Sequence, residues 1–135
     1  MLASVLIAAL LAAAGPPPPA CDDACRIGAA RAYVDALVSH DPSAVPLHPA
    51  ATRTEAGLPT GFSGPQIRAD LRYGPQYRVI TGVRDARFTA HGDRVIAEFT
   101  LELFPPVIGA RVHEVFTLDD GLITTIVADI ALVAP

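Results

Sequence analysis

The chain has 135 residues and a formal net charge of −4, and its ten Lys plus Arg are all arginines, scattered without a cluster. That distribution excludes the electrostatic footprint of a nucleic-acid binder. Setting aside an amino-terminal segment that is not fold material, about 115 residues remain, enough for one domain with one core and too few for two.

Met1 to Ala14 is apolar apart from Ser4 and ends in Ala12-Ala13-Ala14 ahead of Gly15, the pattern of a cleavable secretory signal, although its start carries no Lys or Arg. It falls short of the roughly 20 apolar residues that span a bilayer, so cleavage is expected rather than a stable membrane anchor. The expected location is secreted or cell-envelope. Gly15 to Ala20 (GPPPPA) favours an extended polyproline spacer, and the domain is expected over residues 21–135.

Cys21 and Cys25 follow the spacer. In an exported protein they can pair, stay free or, for Cys21, be acylated. Pairing needs an irregular first turn, because a regular helix holds positions four apart awkwardly for a disulfide. Acylation is disfavoured because Pro18-Pro19-Ala20 lacks the leucine such a signal places three residues before its cysteine. No other His or Cys group has zinc-type spacing, and no metal or cofactor is expected.

Asp22-Asp23 can cap a helix over about Ala24 to His40, with Ile27, Ala30, Val34, Leu37 and Val38 at helical spacing and Tyr33 at the margin of that stripe. Asp41-Pro42 can open a short second helix, after which Pro46 and Pro49 force an irregular descent carrying His48 in a loop that would rim a pocket mouth. Ala51 to Glu55 reads as a short strand and Gly57 to Gly64 as a loop. Ser63-Gly64-Pro65-Gln66 has the form of a capping box, opening a helix through Tyr73 that Gly74-Pro75 ends. Arg68 and Arg72 read as its solvated face.

From Tyr77 the period changes to two. Tyr77 to Ala90, Arg94 to Phe104, Ile108 to Leu118 and Leu122 to Leu132 read as four successive strands, joined at His91-Gly92-Asp93, Pro105-Pro106 and Asp119-Asp120-Gly121 into an antiparallel meander. Helices first and long strands second give an α+β class, with a pocket between helix and sheet. Alternation puts Ile108, Ala110, Val112, Glu114, Phe116 and Leu118 on one side, an apolar face broken by one carboxylate. Desolvating Glu114 costs several kcal/mol unless it is paired, hydrogen-bonded or protonated. Either it belongs to a site, or a bulge or edge strand turns it to solvent, or it pairs with an arginine such as Arg87. His113 falls on the opposite face, as do Glu98 and Glu102 of the preceding strand.

The words ARAYVDALVSHDPSAV, ATRTE, SGPQIRADL and HEVFTLDDGLI, in this order, resemble the nuclear transport factor 2-like fold, the cone-shaped α+β barrel shared by SnoaL-like cyclases, scytalone dehydratase and ketosteroid isomerase. The closer resemblance is to a group of small exported members of that superfamily, which brings no activity with it. Compared with ketosteroid isomerase, Tyr33 in Tyr33-Val34-Asp35-Ala36-Leu37 matches the oxyanion-stabilising tyrosine. Glu55 stands where the base aspartate does, and Glu114, two residues before Phe116, where the protonated aspartic acid does. Both aspartates are glutamates here, each one methylene longer.

The resemblance implies a small apolar ligand, with Tyr33, Glu55 and Glu114 as catalytic groups and Leu37, His48, Val112 and Phe116 around the ligand. Removing a proton beside a carbonyl needs a carboxylate base and donors at the oxygen where charge develops. The expected function is therefore acid/base isomerase, dehydratase or cyclase chemistry on a carbonyl-bearing apolar substrate. The alternative is a non-catalytic ligand-binding or dimerisation module, with a homodimer formed through the outer sheet face.

Overall fold

The computed structural model describes residues 15–16 and 20–134, so the expected signal segment and most of the proline spacer lie outside the described residues. Helix α1 (Asp23–Ser39) begins where Asp22 accepts a hydrogen bond from the Cys25 backbone N–H, and ends at His40 in the left-handed conformation, φ 57°. Cys21 and Cys25 are disulfide-bonded. Cys21 lies before the cap, outside the helix, and this brings the two Cα atoms to 5.1 Å, within bonding range.

The short second helix expected at Pro42 is instead a turn. The Asp41 carboxylate accepts from the Ser43 N–H at 3.0 Å, and Pro46 restricts the residue before it, so no helix can propagate. Arg68, expected on a solvated face, donates to the carbonyls of Pro42 at 2.6 Å and Val45 at 3.0 Å. It ties this connection to the second helix.

Strand β1 (Leu47–Glu55) runs straight through Pro49, where an irregular descent was expected. Its ladder with the last strand is interrupted between Leu47 and Thr52, so the proline removes no needed donor. Residues 58–61, expected as loop, form β2 (Leu58–Gly61), which returns antiparallel to β1 across Ala56 and Gly57, both at positive φ (50° and 79°). That is the two-residue turn a hairpin requires, written with alanine rather than the usual Asn or Asp before glycine. Helix α2 (Gly64–Tyr73) is capped by Ser63 as expected, but the Gln66 side chain accepts from the Phe62 N–H, at 2.7 Å, instead of closing the box onto Ser63. A further turn, α3 (Pro75–Arg78), takes Tyr77 out of the strand pattern assigned to it and buries its ring.

The meander then follows as β3 (Ile80–His91), β4 (Arg94–Leu103), β5 (Gly109–Asp119) and β6 (Leu122–Val133). With β1 and β2 it makes one curved, open six-stranded sheet in the order β2-β1-β6-β5-β4-β3, in which only β1 and β6 run parallel. The α+β class read from the sequence is the class of the structure. Helix α1 lies against β3, β4 and β6, and Tyr33, Val34, Leu37, Phe99, Val112 and Phe116 are among the residues packed between them. No helix among the described residues is long and apolar enough to cross a membrane.

Gly61 is needed for close approach. A Cβ built there would stand 2.6 Å from the Arg53 Cβ and 2.7 Å from an Ile67 carbon. Gly61→Ala is expected to lower stability by about 1–3 kcal/mol. Urea unfolding checks this as a shifted midpoint with unchanged slope.

Candidate functional site

The register through Glu114 is unbroken on both sides: it lies opposite Ala97 of β4 and Ala128 of β6, and the only irregularity of the β5–β6 ladder falls at Thr117/Leu118. No bulge turns the side chain outward, and Glu114 is 3% exposed. Its neighbours across both ladders are alanines, which leaves room for a carboxyl group. Arg87 sits opposite Glu98 on β3; the arginine whose charge reaches Glu114 is Arg53, on β1.

Arg53 and Glu55 stand two residues apart on one strand and share a face. Arg53 is 1% exposed. Its Nε donates to the Thr60 hydroxyl at 3.1 Å and lies 3.3 Å from Glu55 Oε1, while its Nη2 donates to the Thr60 carbonyl at 3.0 Å and to Asp70 Oδ2 at 2.8 Å. Its guanidinium also lies 5.2 Å from the centre of the Tyr77 ring. Glu55 accepts from the Thr60 hydroxyl at 2.7 Å and from the Tyr77 hydroxyl at 2.9 and 3.0 Å. Thr60 and Arg53 act on Oε1 alone, so Oε2 keeps a free lone pair.

Glu114 has no comparable support. Its Oε2 is buried without a hydrogen-bond partner, as are the Tyr33 hydroxyl and Arg53 Nη1. Burial, reinforced by the nearby Glu55 charge and opposed by Arg53, pushes the Glu114 carboxyl up to about 8. Burial also raises the Tyr33 hydroxyl well above its ordinary value, with Glu114 as the next cause.

A cavity of about 320 Å³ opens between α1, α3 and the concave side of the sheet. Its walls are Leu37, Val79, Ile80, Phe99, Leu101, Leu103, Ala110, Val112, Ala128, Ile130 and Leu132, and its polar groups are Glu55, Gln76, Tyr77 and Glu114. A larger hollow of about 710 Å³ has Asp85, Arg87, Glu98, Arg111 and His113 on its rim, and it contains neither cavity carboxyl.

Of the residues singled out from the sequence, Glu55, Glu114, Leu37 and Val112 line the one cavity. Tyr33 and Phe116 are fully buried and pack edge to face, 5.4 Å between ring centres, behind the wall and not on it. Tyr33 is thus a core residue rather than a marginal one, because α1 turns it toward β5. His48 is on strand β1 rather than in a rim loop, and its Nδ1 accepts from the Ala50 N–H at 3.0 Å. Sequence reasoning missed Arg53, Thr60, Asp70 and Tyr77. Only the i, i+2 spacing of Arg53 and Glu55 hinted at a pair, and Thr-Arg-Thr reads equally well as an exposed strand.

The fold is shared with known structures. An LEH-like epoxide hydrolase of M. tuberculosis superposes with a TM-score of 0.66 at 25% identity, over 80% of this chain and 84% of that one. The epoxide hydrolase/cyclase-like enzyme SalBIII, of pyran ring formation in polyether salinomycin, gives 0.69 at 15% over 84% and 98%. A protein of unknown function with a cystatin-like fold from Methylobium petroleophilum gives 0.68 at 21% over 84% and 80%. The last two likenesses show the fold alone, which is nuclear transport factor 2-like and SnoaL-like. No curated protein matches the chain. The sequence profile of one family matches residues 20–130, and the chain belongs to that family, Domain of unknown function (DUF8021).

Proposed function

We propose that this protein binds a small, uncharged, largely apolar molecule bearing a carbonyl or ether oxygen, and performs acid/base chemistry on it with Glu114 as the neutral acid and Glu55 as the carboxylate base. The observation that carries the reading is that two carboxyl groups in opposite environments face one apolar cavity. Glu114 is desolvated and without a partner at Oε2, whereas Glu55 is ion-paired and accepts hydrogen bonds from two hydroxyls. Such a separation assigns the acid and the base. An anionic ligand is disfavoured, since no cationic side chain lines the cavity and Arg53 is already committed to Glu55 and Asp70.

In this mechanism the ligand oxygen takes a hydrogen bond from Glu114, which stabilises negative charge as it develops. The free lone pair of Glu55 Oε2 removes a proton from the adjacent carbon. Tyr33, behind the wall, does not touch the ligand. A second reading is favoured by the likeness to the M. tuberculosis hydrolase: Glu114 protonates an epoxide oxygen while Glu55 takes a proton from the attacking water. The apolar amino-terminal segment and the Cys21–Cys25 disulfide support export to an oxidising compartment.

Assays with an unconjugated cyclic enone and with an apolar epoxide test the reading and separate its two forms. Glu55→Gln is expected to lower turnover of the accepted substrate by about 10²–10⁴-fold while leaving its binding intact. Full activity of Glu55→Gln would remove Glu55 as the base, and binding of both compounds without turnover would favour a ligand-binding module instead.

Glu114 also makes a prediction that needs no substrate. Its folded-state value, about 8, lies above its ordinary 4.5. Below 4.5 the carboxyl is protonated in both states, and between 4.5 and 8 only the folded protein holds the proton. Stability from this group therefore falls as pH rises through that window, by at most about 1.4 kcal/mol per pH unit. Urea unfolding from pH 4.5 to 8.5 is expected to show this decline in wild type and a shallower one in Glu114→Gln; equal slopes would remove the neutral-acid role.

A further inference from the structure

Arg53 does not line the cavity, yet it is the one buried arginine among the described residues, and its contacts are distributed unevenly between the two cavity carboxyls. On one side it stands 3.3 Å from Glu55, and it binds the Thr60 hydroxyl that itself donates to the same oxygen of Glu55. On the other side it makes no hydrogen bond to Glu114, whose Oε2 has no partner. From this asymmetry we infer that Arg53 is a positioning residue that decides which of the two cavity carboxyls carries the proton, fixing Glu55 as the carboxylate and leaving the proton on Glu114. The inference rests on the acid and base assigned above and deepens it by naming what sets them apart.

The chemistry follows from like charges in a confined space. Two carboxylates facing one apolar cavity resist ionising together, so one proton stays between them below the upper transition of the pair. Without a fixed cation the proton would be shared. A guanidinium bound to one member breaks the tie, because an arginine stays charged throughout the accessible pH range and its planar fork holds its direction. Asp70 tunes the strength of this bias. It takes Nη2 of Arg53 at 2.8 Å and also accepts from Gln66 Nε2 at 2.7 Å, so the guanidinium is shared between an acid that faces the cavity and one on α2. The other ionisable groups facing the pair are the Tyr77 hydroxyl, on Glu55, and the Tyr33 hydroxyl, near Glu114 and Arg53. Both are raised by burial and stay neutral at the pH values concerned.

Side-chain carboxyl ¹³C NMR across pH, on the full protein, tests this. Arg53→Met is expected to raise the Glu55 midpoint by about one to three pH units and to make the two glutamates titrate as a coupled pair. Arg53→Lys, which keeps the charge, is expected to hold most of the separation. A Glu55 midpoint unmoved in folded Arg53→Met overturns the inference. Should Arg53→Met fail to fold, Asp70→Asn removes the competing carboxylate and is expected to lower the Glu55 midpoint; no movement there overturns the inference as well. The titration requires no substrate, so its outcome is separable from catalysis. A moved midpoint beside a fully active Glu55→Gln would retain the role of Arg53 and reject Glu55 as the catalytic base.

Discussion

A full positive charge in the interior of a small domain must be answered, and around Arg53 the answer organises one end of the molecule. Its side chain is wholly screened from solvent, so acceptors are needed to offset the cost of desolvation, and Nε and Nη2 have them although Nη1 does not. Those acceptors come from three elements: Glu55 on β1, Thr60 on β2 and Asp70 on α2. The hairpin that brings Thr60 back over Arg53 requires positive φ at Ala56 and Gly57, and the close approach of the strands requires a residue without a side chain at Gly61. Local backbone choices that look incidental in isolation are thus fixed by one buried guanidinium.

The same network gives the cavity its chemical asymmetry. Glu55 is reached by a hydroxyl from β2, a hydroxyl from α3 and a guanidinium from its own strand. Glu114 meets alanines on both sides in the sheet and Phe116 two positions on. Two identical functional groups therefore experience different solvents within one hollow. The fold that carries them, a helix laid across a curved sheet, surrounds both with an apolar lining.

Legibility from sequence followed the range of the forces involved. The four long strands and α1 were readable because alternation and helical spacing are written in adjacent residues; period two put Glu114 on the apolar face, and the unbroken register through it removed the alternative of a bulge. The cap at Ser63 was readable for the same reason. The β1–β2 hairpin was not, because its turn is Ala-Gly and its second strand is only Leu58 to Gly61. Tyr77 was assigned to a strand because Pro75 was taken as the end of a helix, whereas it starts one more turn. Arg68 seemed solvated because the carbonyls it clamps lie 23 and 26 residues away.

The sequence by itself determined the class of fold and the place of Glu114 on an apolar strand face, since each depends on periodicity within a few positions, while Glu55 as its companion was implied by the resemblance to ketosteroid isomerase. Only the tertiary structure decided that the cysteines pair, that Tyr33 stands behind the cavity rather than on it, and that Arg53 lies beneath Glu55 with Thr60 and Asp70 as partners. Those outcomes depend on the parallel pairing of β1 with β6 and on α2 folding back over β1. They join residues far apart in the chain, and a periodic pattern gives the face of a strand but not the distant element that will cover it.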